Sequence, residues 1–99
     1  MPDDPLNSLI KFDADLPHRI HDAEEYIYQD GALPRKVKLM MGMAFDATHG
    51  AVGGVRSIAL QAMQAGATKE EIGEALRVAC LFGGLGSAYI ASLGLKDIL

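Results

Sequence analysis

Apolar residues in this chain recur every three or four positions, and no stretch alternates over the length of a strand, so the pattern predicts helices. Leu16, Ile20, Ala23 and Ile27 mark one side of a first helix. Asp15 is placed to N-cap it, and Pro17 falls in the first turn, where a missing N–H costs nothing. Asp30-Gly31 ends it, with Gly31 as a left-handed C-cap. Residues 1–15 read as an arm, irregular or with one short helix, bounded by Pro5 and the turn at Asp13 to Asp15.

Pro34 opens the next helix. Its apolar residues (Val37, Met40, Met41, Ala44, Phe45, Ala47) cover more than one face, which predicts a central position. His49-Gly50 and Gly53-Gly54 interrupt or tighten the path. A third helix carries Val55, Ile58, Ala59, Ala62 and Met63 on one side, Arg56, Gln61 and Gln64 toward the other, and closes at Gly66. Thr68 and Glu71 form a T-x-x-E capping box for a fourth helix holding Ile72, Ala75, Leu76 and Ala79. The run Gly83-Gly84-Leu85-Gly86 either ends that helix or lets two helices pack backbone to backbone. A last helix holds Tyr89, Ile90, Leu93 and Leu95. The expected fold class is all-α, one domain over residues 1–99.

Composition adds an expectation about assembly. Hydrophobic residues make up 49% of the 99. A chain this short buries only about 60–65% of its unfolded surface alone, so the apolar excess points to burial against further copies of itself. The net charge of −4, without a basic cluster, makes nucleic acid a poor partner. The best membrane candidate, 79–95, is broken by four glycines, and the polar start MPDDPLNS lacks a signal peptide's charged region, so a cytoplasmic protein is expected. The single cysteine, Cys80, can form neither an internal disulfide nor a Cys-x-x-Cys site; beside Ala79, Leu81 and Phe82 it reads as a small core residue.

From Leu33 the chain reads LPRKVKLMMGMAFDATHGAVGGVRSIALQAMQAGATKEEIGEAL, and ACLFGGLGSAYIA follows. In order and spacing, these segments across 31–91 resemble the carboxymuconolactone decarboxylase / alkylhydroperoxidase D-like family. The resemblance implies an all-α fold, a two-helix hairpin holding the site, and assembly as trimers or hexamers. Redox members carry a Glu, a Cys-x-x-Cys pair and a His in this frame. Counting back from Gly66, those positions hold Leu39, Ala51, Gly54 and Ile58. None can transfer a proton or act as the thiolate nucleophile, so cysteine-dependent peroxidase chemistry is not expected. The family's decarboxylases lack the cysteines too, but the His that would match theirs is again Ile58.

Other chemistry-bearing residues survive nearby. His49 stands two positions before Ala51, and Asp46, one helical turn earlier, could orient its imidazole. Such a His is a natural general acid or base, or simply a cap at a helix C-terminus. Arg56 could bind a substrate carboxylate through its fork of donors, pair with Asp46, or stay in solvent. Lys36 and Lys38 are expected to face solvent or a neighbouring subunit. His18, His21, Glu24 and Glu25 share a polar face that invites a metal reading, but a solvated face is the better expectation, and neither metal nor cofactor is assigned. Tyr89 reads as core, and Met40, Met41, Met43 and Met63 as core fillers or the lining of an apolar ligand cavity. Two functions follow. One is a lyase, isomerase or decarboxylase-like enzyme on a small organic acid, with His49 as acid or base and Arg56 as clamp. The other is a non-catalytic homo-oligomeric assembly module or small-ligand binder.

Overall fold

The computed structural model describes residues 4–98, so the first three residues of the arm lie outside what is described. A short 3-10 helix, Pro5–Lys11, precedes five α-helices: α1 (Leu16–Tyr28), α2 (Arg35–Thr48), α3 (Val52–Gln64), α4 (Lys69–Gly83) and α5 (Leu85–Leu95). There is no strand among the described residues.

The central helix is α2, which packs on α1, α3, α4 and α5. Leu39, Met43 and Ala47 repeat every fourth residue along it and are almost completely buried. They meet Val55, Ala59 and Ala62 of α3, Ile72 and Ala79 of α4, and Ala91 of α5. So many alanines in the core bring helix axes close together. At Gly94 a backbone group of the neighbouring helix fills the space: a Cβ there would lie 2.8 Å from Val55 and 2.9 Å from the Val52 carbonyl oxygen. Of the glycines of the last apolar stretch, Gly94 thus serves the packing of α5 on α3.

Local signals set most boundaries. The capping box forms in both directions, Glu71 N donating to Thr68 Oγ1 (3.1 Å) and Thr68 N to Glu71 Oε1 (2.9 Å). Gly66 and Gly84 adopt positive φ (105° and 81°), ending α3 and turning α4 into α5. Gly53 and Gly54, expected to interrupt the path, instead lie in the first turn of α3, and the chain turns at Gly50 (φ 78°).

Several expectations are corrected. Asp15 occupies the N-cap position of α1 but caps nothing. The carboxylate of Asp13 does so, accepting from Asp15 N and Leu16 N at 3.1 Å each. Gly31 is not left-handed; α1 already ends at an extended Gln29, and Lys38 Nζ reaches back to donate to the Ile27 and Gln29 carbonyls. Lys36 is not turned to solvent either: it bonds Glu71 at 3.0 Å, tying the start of α2 to the start of α4. Tyr89 and Met41 are exposed rather than core.

The least attached element is α1. It packs on the 3-10 helix and makes a limited contact with α2, leaving Ile27 exposed. His21 holds the 3-10 helix in place through Asp4 (2.6 Å) and is braced by Glu24 (3.2 Å), while His18 pairs with Asp22 (3.4 Å). Among the described residues no group of three or more ligand-type side chains is gathered as a metal site, on this face or elsewhere. Among the described residues no helix is long and apolar enough to cross a membrane.

Candidate functional site at the α2–α3 hairpin

Two glycines admit the polar groups of this site. On α2, a Cβ at Gly42 would lie 2.5 Å from Tyr28 Oη and 3.6 Å from Ile58 Cδ1. The Tyr28 phenol therefore rests directly on the α2 backbone, with Ile58 of α3 against the same point. One turn further along α2, Asp46 leans across to α3, where a Cβ on Gly54 would strike its carboxylate and lie 2.7 Å from its Cγ. Gly42 and Asp46 are four residues apart on α2, as are Gly54 and Ile58 on α3, so the two contacts form successive levels of one interhelical seam.

Burial sets the electrostatics of both groups. It pushes the Asp46 carboxyl above the usual carboxylate range, against the opposing charge of His49. It also pushes the Tyr28 phenol up, and the charges of Asp46 and Glu24 add to this while Arg35 opposes them. Among the described residues no hydrogen bond reaches the Asp46 carboxylate or the Tyr28 hydroxyl. A carboxyl set this way holds its proton more tightly than one in water and stays available to a ligand.

His49 caps α2. Its Nδ1 donates to the Phe45 carbonyl at 2.8 Å, and its ring stacks on the Phe45 ring, centroids 6.5 Å apart. The imidazole is thus oriented by Phe45 rather than by Asp46. A carbonyl only accepts, so Nδ1 carries a proton, and in the neutral imidazole the lone pair falls on Nε2. Arg56 is not brought to this group. Two residues from both Gly54 and Ile58, it projects from the opposite side of α3, where Nη1 donates to the Lys96 carbonyl at 2.7 Å.

With this geometry in place, comparison with known proteins fixes the lineage. The model of the carboxymuconolactone decarboxylase family matches residues 14–95. The chain belongs to that family. No curated protein and no solved structure matches it. The family match is wider than the 31–91 segment picked out from motifs and takes in α1, which supplies Tyr28.

The four positions that counting back from Gly66 sets against the family's redox residues are spread through the hairpin. Leu39 is fully buried in the core, and Ala51 is the half-buried residue before α3. Gly54 lies under Asp46, and Ile58 touches the level of Tyr28. Sequence reasoning missed Tyr28 and its seat at Gly42. The available signal was the glycine itself, in MMGMAF: glycine inside a helix costs about 1 kcal/mol against alanine and so marks a close approach.

Two apolar grooves lie away from the Asp46–Gly54 contact. One, of about 330 Å³, is bordered by Leu76, Arg77, Cys80, Ala88, Ala91 and Leu95. The other, about 210 Å³, shares Leu76 and Leu95 and extends to Met63 and Ile98. Neither includes Asp46, His49 or Arg56. Cys80, expected in the core, is half-buried on the first.

Proposed function

We propose that this chain is a cysteine-independent member of its family that binds a small organic acid at the α2–α3 hairpin and moves a proton on it. The observation that carries the reading is the Asp46 carboxyl, half-buried over Gly54 and without a partner among the described residues. A carboxyl whose proton affinity burial has raised suits general acid–base work. His49, whose neutral form bonded through Nδ1 to Phe45 offers its lone pair at Nε2, supplies a second proton-transfer group at the same end of α2. Thiol peroxidase chemistry has no residue to perform it there, since the only cysteine is Cys80 on the far groove. For Arg56 to clamp a substrate carboxylate it must give up the Lys96 carbonyl and cross α3.

The test is native mass spectrometry of freshly purified protein, followed by denaturation and identification of any released compound. A stoichiometric organic acid is expected from wild type and should be lost from D46N and H49A, both still folded. Wild-type protein free of ligand, or retention by both variants, would remove the hairpin as the site.

A specific observation favours a second reading that is compatible with the first. At the α4–α5 corner Leu81, Phe82 and Leu85 are each at least three-quarters exposed, with Val78, Tyr89 and Leu93 also open. Apolar surface gathered in this way is the signature of an interface, and a second copy of the chain is the proposed occupant. On this reading the chain is a homo-oligomer, and the assembly itself is its function if the hairpin proves inert.

A further inference from the structure

The surface stripe of α2 that carries Gly42 and Asp46 also carries Arg35 and His49. Positions 35, 42, 46 and 49 are separated by seven, four and three residues, so at about 100° per residue they stay within about 60° of one another. Along this line the side chains present a guanidinium, a phenol seated on glycine, a carboxyl and an imidazole. Arg35 begins α2, its backbone N–H fixed by Asp30 Oδ1 at 2.7 Å. The side chain is half-buried, and among the described residues its guanidinium has neither a hydrogen bond nor an ion pair. It is nevertheless near enough for its charge to act on the Tyr28 phenol. Arg56, by contrast, is occupied by the Lys96 carbonyl on the other side of α3.

We infer that Arg35, not Arg56, anchors the carboxylate of the ligand, that the Tyr28 hydroxyl donates to a second oxygen further along it, and that Asp46 and His49 face its reacting end. This rests on the reading of the hairpin as a small-acid site, and it narrows the ligand. The rise of a helix, 1.5 Å per residue, puts the backbones of Arg35 and Gly42 about 10 Å apart along the axis, and the long Arg35 side chain spans part of that distance, so the ligand's two oxygens are held apart by a short extended carbon chain. Its second oxygen is uncharged: Tyr28 stands within the field of Asp46 and Glu24, which repel a second carboxylate, whereas a keto or hydroxyl oxygen simply accepts the phenol's hydrogen bond. The class is therefore an extended oxo- or hydroxy-acid.

The probes are levulinate, a carboxylate bearing a ketone further down its chain, and valerate, the same chain without the ketone. Each is titrated into full-length protein while the Arg35 Nε–H and Tyr28 ring signals are followed by NMR. Levulinate should shift both signals. Its dissociation constant should rise at least about tenfold in R35Q and roughly three- to tenfold in Y28F, and should be unchanged in R56Q, given the usual strength of Arg–carboxylate and neutral hydrogen bonds. R35K, which keeps the charge but not the fork, should fall between. Valerate binding should depend on Arg35 but not on Tyr28. The inference is overturned if levulinate does not bind, if R35Q binds it as wild type does, or if R56Q loses as much as R35Q. Co-purified acid that D46N and H49A lose but R35Q and Y28F keep would sink this assignment alone. Wild-type protein holding no acid would sink the hairpin reading beneath it.

Discussion

A methyl group at position 54 would land on the Asp46 carboxylate, and its nearest clash is with the far end of a short, rotatable side chain. Gly54→Ala therefore displaces Asp46 rather than the helices. The helix gains about 1 kcal/mol of propensity, so net stability should stay within about 1 kcal/mol of wild type. What should change is the titration of Asp46: turned outward, its carboxyl falls back toward the ordinary value of 3.8. A ¹³C-detected titration that leaves Asp46 where it was would show that the carboxylate does not rest on Gly54. The raised carboxyl also has a thermodynamic consequence. Between its unfolded value of 3.8 and its higher folded value, the native state binds more protons than the unfolded chain, so stability falls as pH rises through that window. Ionised Asp46 is thus a burden at neutral pH. Asp46→Asn should raise the thermal midpoint there, and the advantage should vanish below 3.8. A midpoint lowered at neutral pH would mean that the carboxylate has a stabilising partner.

At the scale of elements, two contacts with opposite characters join helices to their neighbours. Gly94 lets α5 lie against α3 with the Val52 carbonyl and Val55 in the space a Cβ would need. Backbone and a β-branched side chain cannot swing aside, so Gly94→Ala should cost about 1–3 kcal/mol despite its gain in helix propensity, read as a lower denaturant midpoint at unchanged slope. The arm is held by a weaker, pH-dependent clasp. The hydrogen bond that His21 donates to Asp4, reinforced by the charges of Asp4 and Glu24, raises His21 above 6.5, and that contribution is complete below 6.5 and lost as pH climbs through the raised value. Asp4 is lowered from 3.8, chiefly by the backbone N–H of Leu6 and also by His21, so its part is complete above 3.8 and lost on acidification through the lowered value. The 3-10 helix should consequently be best protected from amide hydrogen exchange, after correction for intrinsic rates, between pH 3.8 and 6.5, and His21→Ala should abolish that optimum.

The whole molecule exposes the features that point beyond one chain: the apolar α4–α5 corner, and an α1 whose Tyr26 and Ile27 remain largely open. Sedimentation velocity should find wild-type protein above the monomer mass at micromolar concentration, and L81E/F82E should shift it toward monomer with its helical circular dichroism intact. A wild-type monomer would refute self-assembly through this face. If the hairpin functions within one chain, ligand retention survives that double substitution; if neighbouring copies complete it, retention falls with the oligomer.

What the sequence determined by itself was whatever a few neighbouring residues decide among themselves. The capping box of Thr68 and Glu71, the helix end at Gly66, and the apolar residues of α2 spread over more than one face are local, and they suffice for an all-helical chain with α2 at its centre. Tertiary structure decided whatever required two helices to meet. Lys38 and Lys36, read as surface lysines, became a cap for α1 and a tie to α4 only when those elements came within reach. Arg56 was separated from Asp46 by the rotation of α3, and His49 was turned to the Phe45 carbonyl by the end of α2. The pairing of Tyr28 with Gly42, and of Asp46 with Gly54, arises from close interhelical approach, which each glycine permits but neither can specify, since the partner that fills the space comes from another part of the chain.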